Sequence, residues 1–140
     1  MCEAILRQLG PDRFESLSAG SDPAGFVHPL AIEAMRRLGV PMVDHISKSW
    51  DEFAGAAVDA VITVCDAAAG KACPAWPQSA VTAHWPVPDP SYHAGTEEDR
   101  IEFAVRVAER LRVKIQALVN LDWLLDPVEL KARLDFLGEI

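Results

Sequence analysis

The run AVDAVITVC, residues 57–65, constrains the fold more than any other stretch of the chain. It is nearly unbroken, apolar and rich in β-branched residues. A strand with one face in water alternates polar and apolar residues. A continuous run suits a strand covered by helices on both faces. Around it, helical periodicity and short extended segments take turns, the pattern of an open α/β sheet. Ligands in such sheets sit beyond the carboxyl ends of the strands. Cys65 ends this run, and a second short strand, 80–84, leads into the proline-rich WPVPDPS with Asp89. The topology therefore predicts Cys65 and Asp89 near one pocket.

The other elements follow from local chemistry. Met1–Leu9 reads as a helix with Ile5, Leu6 and Leu9 on one stripe, closed by Gly10-Pro11, and it looks like the remainder of a longer element. Arg13–Ala19 alternates well enough for a short strand. Pro29 is placed to open a helix whose apolar face is Leu30, Ala34, Met35 and Leu38, with Gly39 as its cap. Trp50–Phe53 makes one helical turn, and 67–79 is a loop or a short helix. Thr96 with Asp99 three residues on opens a long amphipathic helix reaching Leu121. Asp126, Pro127 and Glu129 open a last one, with Asp126 as cap and Glu129 reaching back.

Composition narrows the function. Thirteen Lys+Arg against 21 Asp+Glu give a formal charge of -8, a field that repels nucleic acid but does not prevent local capture of a small oxyanion. No run approaches the roughly 20 apolar residues of a membrane span, and MCEAILRQLG is no secretory signal. The expected location is the cytoplasm. There an odd set of three cysteines points to reactive thiols rather than structural disulfides.

Each candidate residue has a plain reading beside the functional one. Seven residues separate Cys65 from Cys73, too many for C-x-x-C, and no second ligand pair suggests zinc. The two thiols could meet through loop closure and exchange a disulfide, or Cys65 could be an inert core thiol. Asp89 could be a general acid held against an apolar wall, or a turn residue before Pro90. Ser18-Ala19-Gly20 and Ile46-Ser47-Lys48-Ser49 could line an anion pocket or be ordinary loop chemistry. His28, His45, His84 and His93 lack metal-ligand spacing. Cys2 and Arg7 form C-x4-R within a helix, which cannot present backbone amides to an anion, so both read as packing residues.

In order and spacing, SAGSDPAGFVHPLAIEAM, SKSWDEF, VDAVITVCDAAAGKACPAWP and HWPVPDPS resemble arsenate reductases of the low-molecular-weight protein tyrosine phosphatase fold. The resemblance implies one three-layer α/β/α domain over residues 1–140, with a short, mostly parallel sheet and a C-terminal helical extension over 122–140. In that family a cysteine in a C-x5-R loop attacks arsenate, aided by an acid. A second cysteine attacks the first and releases arsenite, and a third resolves the resulting bond. By residue this implies Cys65 as the second cysteine, Cys73 as the third and Asp89 as the acid. It further implies a small oxyanion substrate, arsenate or phosphate, and thioredoxin, glutaredoxin or a similar thiol donor. No cofactor, metal, nucleic acid or membrane partner is expected. The family's first strand and C-x5-R loop precede the helix that MCEAILRQLG resembles. Within these 140 residues no cysteine is followed six positions later by arginine. The expectation is a longer natural protein. The alternatives are a phosphatase, which has no use for the Cys65/Cys73 pair, and an inactive remnant or binding module.

Overall fold

A computed structural model describes residues 1–64 and 80–140, so the readings placed on Cys65, Cys73 and 67–79 lie outside the described residues. The β-branched run becomes strand β1 (Ala60–Thr63), and β2 (Val81–His84) lies parallel to it in the register Ala60–Val81 to Thr63–His84. Val81 and Ala83 are buried while Thr82 is exposed, so β2 lays one face on the core. The backbone pairing outlasts the strands: Trp85 N–H donates to Thr63 O at 2.8 Å and Val87 N–H to Val64 O at 3.0 Å.

Among the described residues there are four α-helices. Helix α1 (Cys2–Leu9) and α2 (Pro29–Arg37) both pack on the long α3 (Glu97–Val119), and α4 (Pro127–Glu139) packs on β2. Their ends are set by local chemistry. Leu30 N–H donates to His28 Nδ1 at the start of α2, and Gly39 beyond its end takes φ +67°. Thr96 and Asp99 cap α3 reciprocally. Asp126 Oδ1 accepts the N–H groups of Val128 and Glu129 at 3.0 and 3.1 Å. Glu129 does not reach back as expected. Its carboxylate pairs instead with Arg133 one turn on, an i,i+4 contact along the helix surface.

The expected strand at Arg13–Ala19 does not form a ladder. An extended segment becomes a strand only when a neighbour accepts its backbone groups, and here a single bridge joins Gly20 to Ser49. The segment is held by side chains instead. Phe14 meets Trp123 edge-on at 5.5 Å, and Arg13 donates to Val119 O at the end of α3.

Helix α4 lies against the outward margin of β2. Lys131 Nζ donates to Thr82 O at 2.8 Å, and the buried Trp85 indole donates to Leu134 O at 2.8 Å. Lys114 on α3, also buried, donates to Gly138 O at 2.6 Å. Burial pushes its ammonium below the ordinary lysine value, with Arg110 adding to the effect. Gly138 makes the approach possible, since a Cβ there would stand 2.8 Å from Trp85 Cδ1 and 2.9 Å from His84 O. Backbone cannot yield as a flexible side chain would, so Gly138→Ala is expected to cost about 1–3 kcal/mol, read as a lower urea midpoint at unchanged m-value.

Helices α2 and α3 are also tied at the surface by Arg37 to Glu98 at 2.6 Å, with Glu33 beside it. Hydrogen bonds from Arg36 and then Arg37 hold the Glu33 carboxyl at about 2, below its ordinary 4.5. A depressed carboxylate stabilises the fold above its ordinary value and loses that contribution as pH falls toward the depressed one. A carboxyl ¹³C titration should therefore place Glu33 near about 2 at low salt and move it upward in molar NaCl.

Candidate functional site

The carboxyl ends of β1 and β2 bring chemical groups together. Register places Thr63 beside His84, and Thr63 Oγ1 shares a hydrogen bond with His84 Nδ1 at 2.8 Å. One residue on, Val64 O receives Val87 N–H. Val64 immediately precedes Cys65, and Val87 stands two residues before Asp89. This bond is the closest described link between the segment that leads into the cysteines and the loop that carries the acid. Pro86 and Pro88 flank Val87, lack N–H donors and fix φ, so the loop has little freedom of its own.

Asp89 caps the short 3₁₀ turn Pro90–Tyr92, with its Oδ1 accepting Ser91 N–H at 2.9 Å and Ser91 Oγ at 2.7 Å. The carboxylate is exposed, not pressed against an apolar wall, because the turn presents it outward. The turn-forming reading of Asp89 is thus fulfilled, and both capping bonds fall on a single oxygen. The Thr63–His84 pair was not singled out in the sequence. Only the register of two strands, residues apart in the chain, reveals it.

A second cluster, also missed, centres on Glu3, which is only 5% exposed. Arg7 donates to its carboxylate at 2.5 Å and Ser18 Oγ donates to its other oxygen. Lys48 Nζ and His45 Nε2 stand at 3.9 and 4.0 Å, and both ring nitrogens of His45 are buried without a hydrogen bond. The two polar segments predicted to line an anion pocket do meet. Ser18, Gly20, Phe26, Ile46, Ser47 and Lys48 border a cavity of about 210 Å³. Yet Ser18 and Lys48 face the Glu3 carboxylate, and Ser47 Oγ accepts Gly25 N–H at 3.1 Å. Its cation, Lys48, therefore stands near a carboxylate that it shares with Arg7. Cys2 behaves as a packing residue, whereas Arg7 is half exposed and ion-paired. Burial pushes the Cys2 thiol up, and Arg7 is committed to Glu3 and Val43 O.

The histidines are dispersed: His28 caps α2, His93 stacks on Phe103 at 4.1 Å, and His45 adjoins Glu3. Among the described residues no three His, Cys, Asp or Glu side chains converge as a metal would require, and no helix is long and apolar enough to cross a membrane.

Comparison with known proteins agrees with this arrangement. A model of the family described as low molecular weight phosphotyrosine protein phosphatase matches residues 1–126. The chain is 31% identical to an arsenate reductase of Halalkalibacterium halodurans, covering 86% of this chain and 85% of that protein. It is 32% identical to an arsenate reductase of Bacillus subtilis, over 79% of this chain and 78% of the relative. An arsenate reductase of Bacillus licheniformis is 34% identical over 83% and 82%.

Proposed function

This chain belongs to the low molecular weight phosphotyrosine protein phosphatase family, and from that membership we propose that it carries the thiol-exchange half of an arsenate-reducing relay. Cys65 is the second thiol, Cys73 the resolving thiol and Asp89 the acid. The observation that supports this most is the Val87 to Val64 hydrogen bond, which ties the approach to Cys65 to the Asp89 loop. The presence of both Cys65 and Cys73 in the sequence favours reduction over phosphate hydrolysis, which uses one thiol and an acid but no partner sulfur.

The electrons balance as follows. Arsenate, As(V), forms a thioester-like bond to a first cysteine thiolate supplied by a C-x5-R loop. Asp89 gives a proton to the departing oxygen, which leaves as water. The Cys65 thiolate attacks the first sulfur, the S–As bond breaks, and arsenic leaves with two electrons as arsenite. Cys73 then attacks the Cys65 sulfur, the first thiolate departs, and Cys65–Cys73 remains as the disulfide. A cytoplasmic dithiol donor of the thioredoxin or glutaredoxin type reduces it by the same exchange chemistry.

The steps assigned to this chain are tested by loading Cys65 with glutathione disulfide in a Cys2→Ser background. The wild-type pair should eject glutathione and form an internal disulfide that thioredoxin reduces. Cys73→Ser should retain the adduct, with the rate of glutathione release lower by at least a hundredfold. A wild-type chain that keeps the adduct removes Cys73 from the mechanism. With a C-x5-R segment supplied ahead of residue 1, arsenate-dependent NADPH consumption in a thioredoxin-coupled assay tests the substrate, and none with either donor class overturns the assignment to arsenate.

A further inference from the structure

Helix α4 lies past residue 126, where the family match ends, yet it grips the chain immediately before the Asp89 loop. Trp85 is 1% exposed and its indole N–H is spent on Leu134 O of α4 at 2.8 Å. Gly138 fits against Trp85 and the His84 carbonyl with no room for a Cβ. Lys131 of α4 holds Thr82 O two residues before the paired end of β2. Lys114 fixes the far end of α4 to α3 through Gly138 O, so the helix is itself anchored.

From Trp85 the chain reaches Asp89 through Pro86-Val87-Pro88. Two prolines leave this segment one backbone donor, Val87 N–H, and that donor is bound to Val64 O at 3.0 Å. The loop is therefore stiff between two fixed points, one set by α4 through Trp85 and one by the exit of β1. A stiff connection transmits displacement rather than absorbing it. We propose that α4 positions the acid, with Trp85 as the positioning residue through which the helix sets where Asp89 stands relative to the end of β1. This rests on the reading of Asp89 as the acid, and it assigns a role to a helix outside the family match.

The test is Trp85→Phe in the full chain, which keeps an aromatic ring in the core and removes the indole N–H together with its five-membered ring. Amide hydrogen exchange is followed by NMR at Val87, bonded to Val64 O, and at Ser91, bonded to Asp89. Gly20, whose N–H donates to Lys48 O, serves as the distant reference. Loss of one buried hydrogen bond should speed exchange at Val87 and Ser91 about tenfold while Gly20 is unmoved. Gly138→Ala, which leaves the indole intact, should give the same local signature. Unchanged rates at Val87 and Ser91, or a rise no larger than that of Gly20, overturn the proposal. In the arsenate assay Trp85→Phe should lower kcat about tenfold with KM unchanged, the pattern of a misplaced acid. A KM effect alone counts against it. If the protein supplied with that C-x5-R segment shows no arsenate turnover, the proposed function fails, and the exchange rates still judge whether α4 governs the loop.

Discussion

Trp85→Ala is expected to lower the unfolding free energy by about 3–5 kcal/mol, the range for truncating a buried aromatic to alanine. Trp85 sits in the main core with β2 on one side and Leu130, Leu134 and Leu137 of α4 within the same cluster. Its removal deletes shared packing for sheet and helix together and takes away the indole bond to Leu134 O. Against a total of about 5–15 kcal/mol for a domain, such a loss approaches the folding threshold. Urea unfolding should show the midpoint falling steeply at unchanged m-value. A loss below about 1.5 kcal/mol would mean that the surroundings collapse onto the space, and that the core is less tightly packed than described.

Glu3→Gln is expected to cost about 3 kcal/mol, the low end of the range for removing one partner of a buried ion pair. The carboxylate is the shared counter-ion of Arg7 and Lys48. Arg7 is 46% exposed and regains water, whereas Lys48 at 14% does not. The penalty therefore comes chiefly from the stranded ammonium, because the amide can still hydrogen-bond Ser18 but carries no charge. Pairing Glu3→Leu with Lys48→Met should recover most of the loss, because apolar residues of similar volume avoid stranding a charge. A double variant no better than Glu3→Gln would locate the cost in packing around α1.

The sequence foretold what depends on neighbours in the chain. Pro29, the Thr96/Asp99 pair and Asp126 mark helix starts because capping involves residues two or three apart. The apolar residues Val128, Leu130, Leu134 and Leu137 of the last helix suggest packing on the body of the domain; the three leucines are buried, but Val128 is off their stripe and exposed. Arg13–Ala19 misled because alternation describes a segment able to pair, and pairing is decided by a partner elsewhere. Glu3 looked like an ordinary acid in the first turn of a helix. Its burial arises only when α1, Ser18 and Lys48 converge from separate stretches. The same limit applies at the site. Asp89 on a proline-stiffened turn could be read directly, but its link to Val64 through Val87 depends on strand register.

The lysine that occupies the Thr82 carbonyl has a consequence for how molecules of this protein could join. Filament growth by strand addition requires every unit to offer two open margins, one to receive and one to extend. Here Lys131 of α4 already takes one of the acceptors that the outer margin of β2 would offer a neighbour, which makes that margin a poorer template for strand addition.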